Sequence, residues 1–353
     1  MTLFSHSDTI RELTNVFLDE NPNHLLLCEG IDDGFYSTIN GLPSLYPSQC
    51  YELPCSENSM VGMALSASNY EVTTLVCLQR VEFALLAIEQ LANNAAKNHY
   101  LTDGNRKNPC LFRFVVGRGW GQGPSHSQSF ETMFSQIPDI NVFMPVFPND
   151  SNIIFKDFKN QSSPTISLEH RWTHYAFDTE GSLKNNKTSS YCLRNGTDIT
   201  IICYSYNVLL VNAISSIFSD HHISLEIINL FCLTAIDYEL ISNSVKKTKH
   251  LLLLDLDDRK FSVSSDILGK LSFDGTLAGL NKNPIRLANH QTYSPSSPYL
   301  SNKYYLTGYD IAEAIINMMD VAPEQAQSIL KGVSEIESEV PCDVPNKGFS
   351  GPF

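Results

Sequence analysis

Apolar residues in this chain fall into short continuous runs, separated by stretches in which they recur every three or four positions. The runs HLLLCEG (24–30), TTLVCLQ (73–79), CLFRFVVG (110–117), NVFMP (141–145) and TISLEH (165–170) predict buried strands. Between them, SENSMVGMALSASN (56–69), with Ser56 as N-cap, predicts a helix. Residues 82–100 predict another, with Phe83, Leu86, Ala87, Gln90, Leu91 and Asn94 on one face. Shorter helices are predicted at 130–138 and 151–160. The alternation repeats in the second half. Strands are predicted at 198–205, 224–231, 250–258 and 283–289, and helices at 207–221, 237–248 and 308–319.

Strand–helix alternation implies an α/β fold with a parallel sheet covered on both faces. Active groups in such sheets collect at the carboxyl ends of the strands. The period is lost over 171–196, where Asn, Ser, Gly and Lys accumulate. The reading is therefore a first α/β domain over 1–180, a linker over 181–196, a smaller α/β domain over 197–322 and a loose polar tail over 323–353.

Composition narrows the function classes. The 353 residues include 38 acidic and 24 basic side chains, a net charge of -14. That balance argues against a nucleic-acid surface and against an anionic membrane surface. No apolar run approaches the length that spans a bilayer, and the N-terminus lacks the basic and apolar regions of a secretory signal, so a cytoplasmic chain is expected. Nine cysteines without a CxxC pair, several inside apolar runs, read as reduced, buried thiols.

The most unusual stretch is GRGWGQGPSHSQ (117–128). It is neither a Walker loop nor a GxGxxG turn. Its glycines would let backbone approach a ligand closely, and His126 could transfer protons near neutral pH. On residues alone, a flexible turn carrying a surface histidine fits equally well. Glu57 reads as a carboxylate favoured by the dipole at a helix start. Phe83 reads as a core aromatic and Gln79 as a polar strand end. No GxSxG elbow is present, and no histidine or carboxylate cluster suggests a protein-held metal.

Taken together, LPCSENSMVGMALSAS, EFALLAIEQLANNAAKNHY, GPSHSQSFETMFSQIPDINVFMP and DITIICYS resemble the β subunit (E1β) of thiamine-diphosphate-dependent 2-oxo acid dehydrogenases, within the transketolase-like superfamily. The resemblance covers roughly 20–320 and is strongest over 24–170. It implies a pyrimidine-binding domain followed by a transketolase C-terminal-type domain. It matches Glu57 to the acid that hydrogen-bonds N1′ of the cofactor's aminopyrimidine, and Phe83 to the aromatic that stacks on that ring. His126 matches the histidine near the reacting carbonyl, and Glu29 an acid near the cofactor. Gln79 stands where the family often has an apolar pocket residue. The family's diphosphate and Mg²⁺ are held by an α subunit carrying a GDG…N motif. TDGN at 102–105 is too short to supply one. The resemblance therefore implies an α partner in an α₂β₂ heterotetramer, with a lipoyl-bearing acyltransferase as a further partner. The second half departs from the pattern: LFCLTAIDYELI (230–241) lacks the family's Arg-Thr-x-x-Pro stretch, and Arg118 and Trp120 are unfamiliar in the Gly-rich loop.

The expected activity is decarboxylation of a 2-oxo acid, with transfer of the acyl unit to a lipoyl group. One alternative is a split transketolase-like or acyloin-forming ligase subunit. A second is a non-catalytic assembly subunit.

Overall fold

The computed structural model describes residues 4–118, 121–257, 259–289, 292–338 and 344–345. Trp120 and Cys342 lie outside the described residues. The first sheet has six strands: β1 (His24–Cys28), β2 (Cys50–Glu52), β3 (Thr73–Leu78), β4 (Cys110–Val116), β5 (Asn141–Phe143) and β6 (Thr165–His170). Their order is β2-β1-β3-β4-β6-β5, every pairing parallel. All seven residues of β4 are buried, as expected of a central strand with helices on both faces.

The second sheet holds β7 (Tyr191–Arg194), β8 (Ile199–Cys203), β9 (Leu225–Asn229), β10 (Leu251–Leu254) and β11 (Ile285–Leu287) in the order β11-β10-β8-β9-β7. Its pairings are parallel except β7 on β9, which is antiparallel. This is the two-domain α/β architecture expected from the alternation. The two sheets meet through backbone: Met144 N–H donates to Phe231 O (2.9 Å) and Leu233 N–H to Val142 O (2.9 Å). Tyr204 Oη adds a buried tie to Glu131 Oε1 at 2.9 Å.

Several expectations need correction. The linker 181–196 contains β7, a short strand that closes the sheet edge. The tail begins as the helix Pro323–Ser338, which buries Ile329 and Val333 against the hydrophobic core. Its apolar positions are spaced at helical period but diluted by polar residues, so composition hid them. The helix expected at 82–100 runs over 81–101 with a 3₁₀ turn at Leu85–Ala87 and a π-helical turn at Gln90–Ala95. Its buried stripe is Ala84, Ala87, Leu91 and Ala95, while Leu86 is exposed. Ser56 occupies the N-cap position of the helix Glu57–Ser68 but makes no side-chain cap bond to the backbone; its Oγ reaches Ser59 Oγ at 2.9 Å. The helix His6–Glu20, closed by a Ser5–Asp8 capping box, was not foreseen. Of the eight described cysteines, all free, five are buried and Cys55 is exposed.

Candidate functional site

The carboxyl ends of β1, β3, β4 and β6 lie side by side, and each leads into a residue of chemical interest. Glu29 follows β1. Gln79 and Arg80 follow β3, and Gly117 follows β4. The helix Glu57–Ser68 brings Glu57 to this edge at its first turn, where the dipole favours a carboxylate.

Glu29 and Glu57 are 5% and 6% exposed. Burial raises the Glu29 carboxyl to about 7, and the neighbouring Glu57 carboxylate pushes in the same direction. Glu29 Oε1 is buried without a hydrogen-bond partner. Two neighbouring buried acids, one with an oxygen that has no partner, form an incomplete polar site.

Gln79 plays a different part. Its Nε2 donates to Glu29 O (3.1 Å), and its own carbonyl accepts from Tyr36 Oη (3.1 Å). It stitches the ends of β1 and β3 together. Gly30, at φ +72°, sits where a side chain would be strained, and a Cβ 2.0 Å from Gln79 Nε2 would displace that amide from Glu29 O. Glu52 holds the same loop by accepting from the N–H groups of Gly30 (3.1 Å) and Ile31 (2.6 Å).

Phe83, half-buried, meets the His126 ring edge-on, with centroids 5.5 Å apart and planes at 83°. Burial and the charge of Arg80 lower the His126 pKa. The neighbouring Glu82 accepts the Gln128 N–H at 2.7 Å. Burial still raises its carboxyl above the ordinary range. Sequence reasoning missed Arg80 and Glu82. The available signal was a basic residue directly after an apolar strand, at the edge where ligands gather.

Beside this edge, a cleft opens between the domains, with Gly117, Arg118, Ser127 and His170 on one side and Tyr206 and Asn207 on the other. Burial holds His170 well below its ordinary pKa, and its ring stacks on Tyr206 at 5.0 Å. Gly117, at φ +93°, must be glycine, since a Cβ would lie 2.3 Å from His170 Nε2. The Arg118 guanidinium lies over Trp172 (4.5 Å) and Tyr305 (4.0 Å). Among the described residues no group of three or more His, Cys, Asp or Glu could hold a metal ion, and no helix is long and apolar enough to cross a membrane.

Comparison with known proteins supplies the family. Residues 4–172 match the pyrimidine binding domain of transketolase, and residues 190–311 match the transketolase C-terminal domain. Among curated relatives, the mitochondrial pyruvate dehydrogenase E1 component subunit beta of Saccharomyces cerevisiae is 29% identical over 74% of this chain and 75% of its own length. The Bos taurus counterpart is 26% identical over 89% and 91%. The beta subunit of the acetoin:2,6-dichlorophenolindophenol oxidoreductase of Cupriavidus necator is 25% identical over 80% and 83%. Among solved structures, a split-gene transketolase described as an inactive beta4 tetramer superposes with a TM-score of 0.71 at 16% identity, covering 90% of this chain and 99% of that one. The paired domains, the six-stranded parallel sheet and these relatives agree, and the chain belongs to the transketolase-like family as a chain of the E1 β-subunit type.

Proposed function

We propose that this chain is the β-type half of a thiamine-diphosphate-dependent enzyme acting on a 2-oxo acid, working with an α-type partner that holds the diphosphate and Mg²⁺. The observation that carries the reading is the Glu29–Glu57 pair: two buried, adjacent carboxyls at the strand edge, one with an orphaned oxygen. They fit an aminopyrimidine. A ring with a basic nitrogen and an exocyclic amine offers the donors and the shared proton that this pair lacks. When bound, the cofactor supplies a carbanion able to attack the keto carbon.

The chain's residues do the rest. Glu57 would hold the basic ring nitrogen of the aminopyrimidine and offer it a shared proton, and its burial would strengthen that interaction. Phe83 would offer the pyrimidine an aromatic face that orients it. Glu29 lies close enough to feel the Glu57 charge, and its raised pKa keeps the pair from carrying two full charges near neutrality. Gln79 shapes the floor by holding Glu29 in place. His126 orients the substrate carbonyl and accepts or returns a proton during acyl transfer to a lipoyl acceptor.

The test is reconstitution with the partner chain. Thiamine diphosphate should bind the isolated chain weakly and the assembly at least tenfold more tightly, a gain of about 1.4 kcal/mol or more. Glu57→Ala should lower turnover by roughly 10²–10⁴-fold; unchanged turnover would remove Glu57 from the mechanism. Lipoamide reduction against aldehyde condensation, assayed side by side, separates a dehydrogenase from a carbon–carbon ligase. A complex inactive in both assays would instead mark an assembly subunit.

A further inference from the structure

Arg80 is the second residue after β3 and is only 3% exposed. Elsewhere the chain buries a guanidinium by pairing it: Arg113 meets Glu169 through two 2.7 Å bonds. Arg80 has no ion-pair contact among the described residues. Its Nη1 donates to Gly117 O (3.0 Å), and its Nη2 to Gln122 Oε1. Nε is buried without an acceptor, and the guanidinium lies 5.7 Å from the Tyr36 ring. A buried cation held by neutral acceptors is costly, so its place needs a reason.

Both acceptors belong to the Gly-rich loop. Two residues further on, Glu82 takes the Gln128 N–H, and Phe83 packs its ring against His126. The turn 80–83 thus grips the loop at Gly117, Gln122 and Gln128, and His126 sits inside the gripped span. We propose that Arg80 is the positioning residue for His126, fixing the loop that carries the imidazole without itself touching substrate. The assignment rests on the reading of His126 given above.

The charge of Arg80 has a second effect. Burial and then the Arg80 field both disfavour the imidazolium and favour the neutral ring, which can accept a proton. The carboxylate of the same turn, Glu82, is committed to the Gln128 N–H, and Phe83 contributes no charge.

Two substitutions separate the grip from the charge. In the full-length chain, histidine titration by NMR and hydrogen exchange of the loop are compared in Arg80→Met and Arg80→Lys. A lysine keeps the charge but cannot reach Gly117 O and Gln122 Oε1 together. Arg80→Lys should leave the His126 midpoint near the parent value while loop exchange over 121–128 rises about tenfold, the loss of one charge-assisted bond. Arg80→Met should raise both the exchange and the His126 midpoint. Gln122→Ala, which leaves Arg80 in place, should loosen the loop partially and serves if Arg80→Met does not fold. Unchanged exchange in all three variants would overturn the proposal. In the reconstituted complex, Arg80→Lys should lower kcat more than it changes KM. If His126→Gln retains full turnover, the catalytic reading of His126 fails while the exchange results stand on their own.

Discussion

At the scale of single residues, Glu29 is the clearest handle on the site. An ordinary glutamate titrates near 4.3, and Glu29 is raised to about 7. Between those values the folded chain holds a proton that the unfolded chain has released. Through this group, stability therefore falls as pH rises from about 4.5 to 7, and the loss is complete above 7. Glu29→Gln removes the effect. Its urea midpoint should exceed that of the parent at pH 8 and match it at pH 5. An equal difference at both pH values would mean that the carboxyl does not titrate in this window. Part of the candidate site was legible in the sequence. Glu57, Phe83 and His126 were singled out by the family resemblance, and the structure sets Phe83 against His126 and Glu57 close to Glu29. Arg80 and Glu82 were not, because their meaning lies in a loop 37 to 46 residues away, and pairing across that distance leaves no local signal. Arg113 was equally hidden, although an arginine inside CLFRFVV is itself a flag for a buried ion pair.

At the scale of elements, that ion pair ties β4 to β6. Arg113 Nε and Nη2 reach the two Glu169 oxygens at 2.7 Å, Nη2 also donates to Thr38 Oγ1 (3.0 Å), and His174 Nε2 contacts Glu169 Oε2 at 3.1 Å. Burial alone would raise the Glu169 pKa, but Arg113 outweighs it and holds the carboxyl far below the usual range. Glu169→Gln leaves a buried guanidinium without its counter-charge, and a cost of about 3–5 kcal/mol in urea unfolding at pH 7 is expected. The cost should shrink as pH falls below about 4, where unfolded glutamates are protonated. The helix Pro323–Ser338 offers a second test. Ile329 is fully buried against the core, so Ile329→Ala should cost about 2–5 kcal/mol. A change below about 0.5 kcal/mol would return this segment to the loose tail its composition suggested. Strands read well from the sequence because β1, β4 and β10 are almost uninterrupted apolar runs. The 81–101 helix read less well: its 3₁₀ and π turns shift the buried stripe away from the regular face, and tertiary packing rather than local period sets that choice.

At the scale of the whole molecule, two sets of buried groups oppose each other. Burial raises Glu29 and Glu131 to about 7 and Asp150 to about 6. Burial also lowers His6 to about 3, and holds His170 and His174 below their ordinary value. Unfolded histidines take up protons near 6.5, whereas these folded ones do not, so they reduce stability as pH falls below 6.5. Over about pH 4.5 to 6 the folded chain keeps protons on these carboxyls that the unfolded chain has lost, with Glu82 and Glu337 shifted in the same direction, while the unfolded chain gains protons on histidines that the fold disfavours charging, His126 among them. The two sets act in opposite directions. Above 6.5 only the carboxyls act, and stability declines until they have ionised near 7. Below about 4.5 these carboxyls no longer differ, and the lowered His6 and the lowered Glu169 both cut stability. Urea midpoints measured from pH 3.5 to 8 should therefore show a plateau between about 5 and 6.5, a steep fall on the acid side, and a shallow decline that levels off by about pH 7.5. A midpoint climbing steadily from pH 5 to 8 would show that the histidines dominate and that the buried carboxyls ionise at ordinary values. That result would also remove the raised Glu29 pKa from the proposed site.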